Sequence, residues 1–283
     1  MKIVKAAMIG DVVGSSGLET LEKKLPILIN EQGIDFVTVN GENAADGFGM
    51  TEESFRRILK AGADVVTSGN HVWEKREFWH VLETERSMLR PANYPSGLRT
   101  IQGISGSGYA CIDKKGISWI VINLQGRELM TPIDCPFQCF DHLIEMLEGR
   151  ASDNHPLMEN DGDAVTSAFP LVLVDFHAES SREKEALAYY IDGRATLIAG
   201  THTHVQTADE RILPNGSAYI SDLGMTGNAD SVIGMNPLIC IDRARKQVLY
   251  HMETAELNNS GSMQGIIAEI DAHTGKVISI NRI

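Results

Sequence analysis

Cysteine is scarce in this chain. Cys111, Cys135, Cys139 and Cys240 are the four among 283 residues, and the one close pair, Cys135 and Cys139, has no second pair to match it. A disulfide framework and a structural zinc site are therefore both excluded as the source of stability. Positive charge is also short, with 25 Lys and Arg against 38 Asp and Glu and a formal net charge of -13. Such a surface has no broad grip on nucleic acid or on an anionic membrane, so neither is expected as a stable partner. A small anionic substrate stays open, because a local metal site overrules the global field. No apolar run approaches the roughly 18 residues that a membrane span needs. Met1 to Ile9 reads as a first strand and not as a leader, so the expected location is the cytoplasm. Internal repeats and low-complexity tracts are missing as well, and homo-oligomerisation is left open.

What the chain does have is 43% hydrophobic residues, ample for a buried core. Ile3 to Ile9 has a strand pattern, Leu18, Leu21, Leu25, Leu28 and Ile29 fall at helical spacing, and Phe36 to Val39 is a second strand. Thr51 caps the next helix, with Glu52 and Glu53 in its first turn, and Gly62 stops it before a third strand, Val65 to Thr67. This alternation predicts a parallel sheet flanked by helices. From Gly97 the glycines multiply, and Tyr109 to Ile112 and Ser118 to Asn123 read as a hairpin of a second sheet. Pro136 to Arg150 reads as a helix and 151–167 as a surface loop, an insertion. The strand Leu171 to Val174 follows, then a helix opened by a capping box, Ser180 and Glu183, and closed at Asp192-Gly193, then the strand Thr196 to Ala199. The tail reads as strands at Tyr219 to Ser221, Leu238 to Ile241, Val248 to Met252, Gly265 to Ile270 and Lys276 to Ile280.

Polar clusters close several of these strands: Gly10-Asp11, Gly41-Glu42-Asn43, Gly69-Asn70-His71, Asp175-Phe176-His177 and Gly200-Thr201-His202-Thr203-His204. In open α/β folds ligands bind outside the carboxyl ends of strands, which makes five such endings one candidate site. Carboxylate, carboxamide and imidazole together suit iron, manganese or zinc better than calcium or magnesium, which prefer oxygen alone. The supply of donors fits two ions better than one. In an extended segment residues two apart point the same way, so His202 and His204 can face one pocket. Each cluster alone has an ordinary structural reading, a helix cap for Asp11 or a satisfied polar pair for the histidines. Their joint occurrence is what argues for metal. His80, His142, His155, His251 and His273 lack such partners and read as surface or packing residues.

The ordered set GDVVG, NGENAADG, GNHVW, DFHAE and GTHTH resembles the calcineurin-like metallophosphoesterases, most closely the YmdB-type bacterial cyclic-nucleotide phosphodiesterases, over nearly the whole chain. The resemblance implies an α/β, four-layer metallophosphoesterase sandwich with a small cap: two central mixed β-sheets flanked by helices, forming one domain over 1–283, with the cap or lid built from loops within 75–166. It implies Asp11, Asn43 and His204 as ligands of one ion, Asn70, His177 and His202 as ligands of the other, Glu42 as the bridge and His71 as the catalytic acid. The wider superfamily has Asp-x-His where this chain has Asp11-Val12-Val13, and a bridging Asp where it has Glu42. The narrower group shares both departures, with Asn43 in place of the missing imidazole.

The same resemblance implies two metal ions, iron or manganese first and zinc as a third option. It also implies hydrolysis of 2′,3′- or 3′,5′-cyclic AMP to a nucleoside monophosphate by attack of a metal-bridged hydroxide. Two divalent ions against two carboxylates and one hydroxide leave about one positive charge for an anionic substrate. No base-reading element stands out. Phe48, Trp73, Phe137 and Phe176 could stack on a base or pack in the core, and Phe137 is the first candidate for a substrate contact. Rival readings are a phosphomonoesterase or nucleotidase with the same centre, and a nucleotide-binding signalling protein that acts through a partner. A dinucleotide-binding oxidoreductase is disfavoured, since Gly10-x-x-x-Gly14-x-x-Gly17 is neither G-x-G-x-x-G nor a Walker A loop.

Overall fold

Side-chain parity along the strands builds the molecule. In β1 (Ile3–Ile9) Val4, Ala6 and Met8 point to one face and Ala7 and Ile9 to the other, the period-two alternation of a strand covered on both sides. The first face meets Trp119 and Val121 of β6 (Ile117–Gln125), Leu171 and Leu173 of β7 (Leu171–His177) and Leu197 and Ala199 of β8 (Leu197–Thr201). The second face packs on Leu18, Leu21 and Leu25 of α1 (Gly14–Gln32) and Phe55 and Ile58 of α2 (Glu52–Ala61). Across the molecule Ile120, Ile122, Val172 and Val174 cover Phe140 and Leu143 of α4 (Pro136–Ser152) and Leu187 and Ile191 of α5 (Ser181–Ile191). The order is helices, sheet, sheet, helices: the four-layer sandwich. Phe36 and Trp119 stack between the sheets at 4.6 Å with planes 8° apart, an aromatic pair worth about 0.5–1.5 kcal/mol beyond its buried area.

In this computed structural model the described residues are 2–95, 106–152, 170–257 and 261–283. The first sheet runs β14-β13-β1-β3-β4, where β3 is Phe36–Asn40, β4 Val65–Thr67, β13 Gly265–Asp271 and β14 Val277–Arg282. Strands β1, β3 and β4 are parallel, and the C-terminal hairpin adds antiparallel to the edge. The second sheet runs β5-β6-β7-β8-β10-β9, with β5 Tyr109–Lys114, β9 Arg211–Ile212 and β10 Ala218–Ile220. Its β5–β6 pair is the predicted hairpin, with Cys111 opposite Ile120. Thr51 caps α2 as predicted, in a reciprocal box with Ser54, and Gly62 ends it in the left-handed region; the short α3 (Trp79–Thr84) follows β4. Among the described residues no helix is long and apolar enough to cross a membrane.

Three predictions need correction. A third sheet, β12-β11-β2, joins β12 (Gly261–Met263), β11 (Met225–Asn228) and β2 (Asp11–Val12); its strands are too short to carry a periodic signal. Leu238 to Ile241, expected as a strand, lies in α6 (Pro237–Lys246), where Asn236 accepts from the Leu238 N–H at 3.0 Å and Pro237 opens the helix. The cap and N1 proline outweigh the short apolar run, because they supply the first turn directly. Val248 to Met252 is irregular. The loop expected over 151–167 lies outside the described residues from 153 on, as do 96–105 of the span expected to form a cap.

Candidate metal centre

Along the face between the sheets, each strand changes from apolar to polar toward its carboxyl end. Leu171 and Leu173 give way to Asp175 and His177, Leu197 and Ala199 to Thr201, Phe36 to Asn40, and Val65 to Thr67. The apolar ends make the core, and the polar ends make a buried basin. Asp11 enters it from β2, its backbone N–H bonded to the Gly224 carbonyl at 3.1 Å. Glu42 and Asn43 follow β3, and Asn70 and His71 follow β4. The basin is tight: a Cβ on Gly69 would lie 2.2 Å from His177 Cδ2 and 2.3 Å from a Glu42 carboxylate oxygen, so only glycine lets the Asn70 turn approach.

All seven predicted ligands come together in two overlapping groups. Asn43 Nδ2 lies 3.3 Å from Asp11 Oδ1, 3.3 Å from Glu42 Oε1 and 3.0 Å from His204 Nε2. His177 Nε2 lies 3.0 Å from each of Glu42 Oε1, Asn70 Oδ1 and His202 Nδ1. Glu42 belongs to both groups, and Glu42, His177 and His202 offer donor atoms all within 4.8 Å of one another. His71 sits at the rim, its backbone N–H 3.3 Å from Glu42 Oε2 and its Nδ1 3.4 Å from Glu74 Oε1.

The three imidazoles are oriented from behind. His177 Nδ1 lies 2.9 Å from the Thr201 hydroxyl, which itself donates to Asp175 Oδ1 at 2.7 Å, so the Thr201 oxygen accepts from the ring. His204 Nδ1 donates to the Ile233 carbonyl at 2.8 Å, and His202 Nε2 faces Glu179 Oε2 at 3.3 Å. Each ring thus turns its other nitrogen to the basin, the arrangement by which outer partners fix a ligating histidine. The donor set, with one nitrogen per ring aimed inward and mixed with oxygens, fits divalent transition metals. His202 and His204 do not get there by strand parity. β8 ends at Thr201, and φ is +105° at His202 and +64° at His204, left-handed values that strain a non-glycine residue. Asp222 holds the turn between them, accepting from the Thr203 N–H at 3.1 Å and from the buried Lys184 ammonium at 2.8 Å.

Charge in the basin is balanced in pairs. Burial would raise the Asp11 carboxyl, but the hydrogen bond and charge of His204, then the charge of His177, hold it well below the usual range. Burial works against His204 too, yet Asp11 lifts it to about 9. Glu42 is lowered against its own burial by the charge of His177, which is raised in return. His202 falls to about 4 through burial and the neighbouring His177 charge. Beneath them burial pushes Asp175 up to about 6, while it accepts from Thr67, Thr201 and Asn40. Deep acids kept ionised beside imidazoles mark a basin built to hold positive charge.

The description of a YmdB-like protein family matches residues 7–283. The chain belongs to the YmdB-like family. It is 39% identical over 280 residues to a 2′,3′-cyclic-nucleotide 2′-phosphodiesterase of Bacillus subtilis (strain 168), covering 99% of this chain and 96% of that one. A crystal structure of a novel phosphatase from Mycoplasma pneumoniae superposes with a TM-score of 0.85 at 31% identity, over 100% of this chain and 93% of the other. A 5′-nucleotidase precursor from Thermus thermophilus shares the fold alone, at 11% identity and TM-score 0.56, with 54% of its length covered. This YmdB-like chain is thus a hydrolytic phosphoesterase with the metallophosphoesterase fold.

Within this YmdB-like site one predicted contact is misplaced. Phe137 does not line the cavity over the donors; it packs edge-on against Tyr190 at 5.3 Å, between α4 and α5, because its helix presents it to that layer. Sequence reasoning placed Asp175 and Thr201 in the polar clusters without giving them a role, and it missed Glu179 and the Lys184–Asp222 pair. The first three sit inside the DFHAE and GTHTH motifs, and Asp175 shares the strand face of His177, so parity could have found it. Lys184 and Asp222 are 38 positions apart and left no local sign.

Proposed function

We propose that this protein hydrolyses small cyclic nucleotides of the 2′,3′ type to nucleoside monophosphates at a centre for two metal ions. What carries the reading is the mutual approach of seven donors, at 3.0 to 3.6 Å, four of which, Glu42, Asn43, His202 and His204, line an open cavity. Asp11, Asn43 and His204 would hold one ion and Asn70, His177 and His202 the other, with Glu42 shared. Iron and manganese suit this mixture, and zinc accepts it. When bound, the ions supply the charge that activates water and neutralises the phosphoryl oxygens.

The protein's own groups supply the rest. His71 borders the cavity beside Asn70, its ring edge-on to Phe48 at 5.0 Å and its Nδ1 facing Glu74. That leaves Nε2 as the proton donor to the leaving oxygen. As the oxygen of water bonds to phosphorus, the bond from phosphorus to one ribose oxygen breaks and that oxygen takes the proton from His71, while the proton the water loses passes to solvent, from which His71 is reprotonated. Phe48, Met235 and Met252 offer an apolar wall for the nucleoside. The B. subtilis relative's name supports the 2′,3′ class.

The test is elemental analysis of the protein as isolated, with product identification for 2′,3′-cyclic AMP, 3′,5′-cyclic AMP, AMP and bis(p-nitrophenyl) phosphate under added manganese or iron. Turnover of 2′,3′-cyclic AMP well above a Glu42→Gln control is expected. Turnover of AMP alone would make the protein a nucleotidase, and nucleotide binding with rates equal to the control would make it a binding protein.

A further inference from the structure

We propose that Arg243 reads a second phosphate, so that preferred substrates are ribonucleotides bearing an anionic group on O5′ besides the reacting cyclic phosphate. This rests on the phosphodiesterase reading above and extends it to substrate class. The cavity over the donors has a volume of about 840 Å³, toward the upper part of the range for small-molecule sites. Glu42, Asn43, His202 and His204 line one part of it. Arg243, Ala244 and Gln247, from α6 and the residue that caps its end, line another, and Phe48, Met235, Val248, Leu249 and Met252 supply apolar surface. One ribose separates O5′ from the 2′,3′ oxygens, so a nucleotide with its cyclic phosphate at the donors carries its second phosphate away from them, into the part of the cavity that Arg243 lines.

Among the described residues that line this cavity, Arg243 is the sole Lys or Arg, in a chain of formal net charge -13. It is half-buried, and the one hydrogen bond of its guanidinium among the described residues runs from Nη1 to the Tyr250 carbonyl at 3.1 Å. No carboxylate neutralises it there, whereas Lys246 in the same turn is paired with Asp242 at 2.6 Å. A guanidinium whose fork is not matched by a protein carboxylate, facing the cavity of a phosphoesterase, is matched to a phosphate. The alternative is that Arg243 only complements the carboxyl end of the α6 dipole, as last-turn cations do. That role calls for no particular substrate.

The test is steady-state kinetics of the metal-loaded protein on adenosine 2′,3′-cyclic phosphate with a free 5′-hydroxyl, the same nucleotide with a 5′-phosphate, and an ApA dinucleotide ending in a 2′,3′-cyclic phosphate. Wild type is expected to favour the substrates with a second phosphate by about 10- to 100-fold in kcat/KM, mostly through KM, as a charge-assisted hydrogen bond allows. The preference should shrink as salt rises. Arg243→Gln should bring the ratio close to one, and Arg243→Lys should keep part of it. The better of the two phosphorylated substrates identifies the source as a mononucleotide or an oligoribonucleotide end. Equal kcat/KM in wild type, or an Arg243→Gln loss equal for all three substrates and for bis(p-nitrophenyl) phosphate, overturns the inference. If bis(p-nitrophenyl) phosphate and every cyclic nucleotide resist wild type, the phosphodiesterase reading itself fails. Equilibrium binding of adenosine 3′,5′-bisphosphate to wild type and Arg243→Gln then decides Arg243 separately, with weakening of tenfold or more expected and equal affinity ending the idea.

Discussion

In the donor basin Asp11, Glu42 and His177 are at most 1% exposed, and each of the three imidazoles has both nitrogens engaged. None of the ten residues of α6 is buried, and Leu238 is 75% exposed. The helix is tied down by its Asn236 cap, by Asn236 N–H to the Glu253 carbonyl at 2.8 Å, and by a small cluster of Val13, Met225 and Met235 with Cys240 beside it. The difference lies in what surrounds each region. Buried partners over-determine the donor side chains, including the left-handed turn at His202 and His204. On the proposed reading the basin must hold a fixed geometry, whereas α6 lies at the surface, where a substrate would come and go.

Four substitutions probe that contrast, from the largest effect down. His71→Ala should slow turnover by about 10²- to 10⁴-fold with bound metal retained by elemental analysis; loss of metal would move His71 from the acid's role into the ligand set. Lys184→Met strands the Asp222 carboxylate in the core and should destabilise by about 3–5 kcal/mol, read as a lower midpoint in denaturant, with part of the loss restored when Asp222→Leu is added. Asp175→Asn weakens the support behind Thr201 and His177 and should lower metal affinity by about 10- to 100-fold; unchanged affinity in a competition titration would show that Thr201 needs no anchor. Leu238→Ser should alter stability by no more than about 0.5 kcal/mol. A fall as large as that of Lys184→Met would erase the distinction between the basin and α6.

Much of the framework was legible from local signals. The strands at Ile3–Ile9 and Val65–Thr67 match to the residue, Thr51 and Gly62 bound α2, and the seven side chains singled out by the motifs lie close together. Ser180 caps α5 as expected, but the reciprocal half of the predicted box is absent, since Glu183 spends its carboxylate on the Arg127 and Glu128 N–H groups at 3.0 Å. That tertiary claim on Glu183 could not be seen from its spacing to Ser180. Phe137 and Leu238 went astray for a related reason: an apolar residue on a helix, or in a short run, does not say which neighbour will cover it.

From its order of residues alone this protein has an α/β alternation, the polar groups that end its strands and its kinship with phosphoesterases, because each depends on periodicity or on short motifs. Only the folded chain decided which nitrogen of each imidazole turns to the basin, what stands behind it, and that Arg243 lines the same cavity as Glu42, Asn43, His202 and His204. Those choices depend on hydrogen bonds between distant positions, such as His202 N–H to Asp11 across 191 residues, and no local pattern encodes a partner that far away.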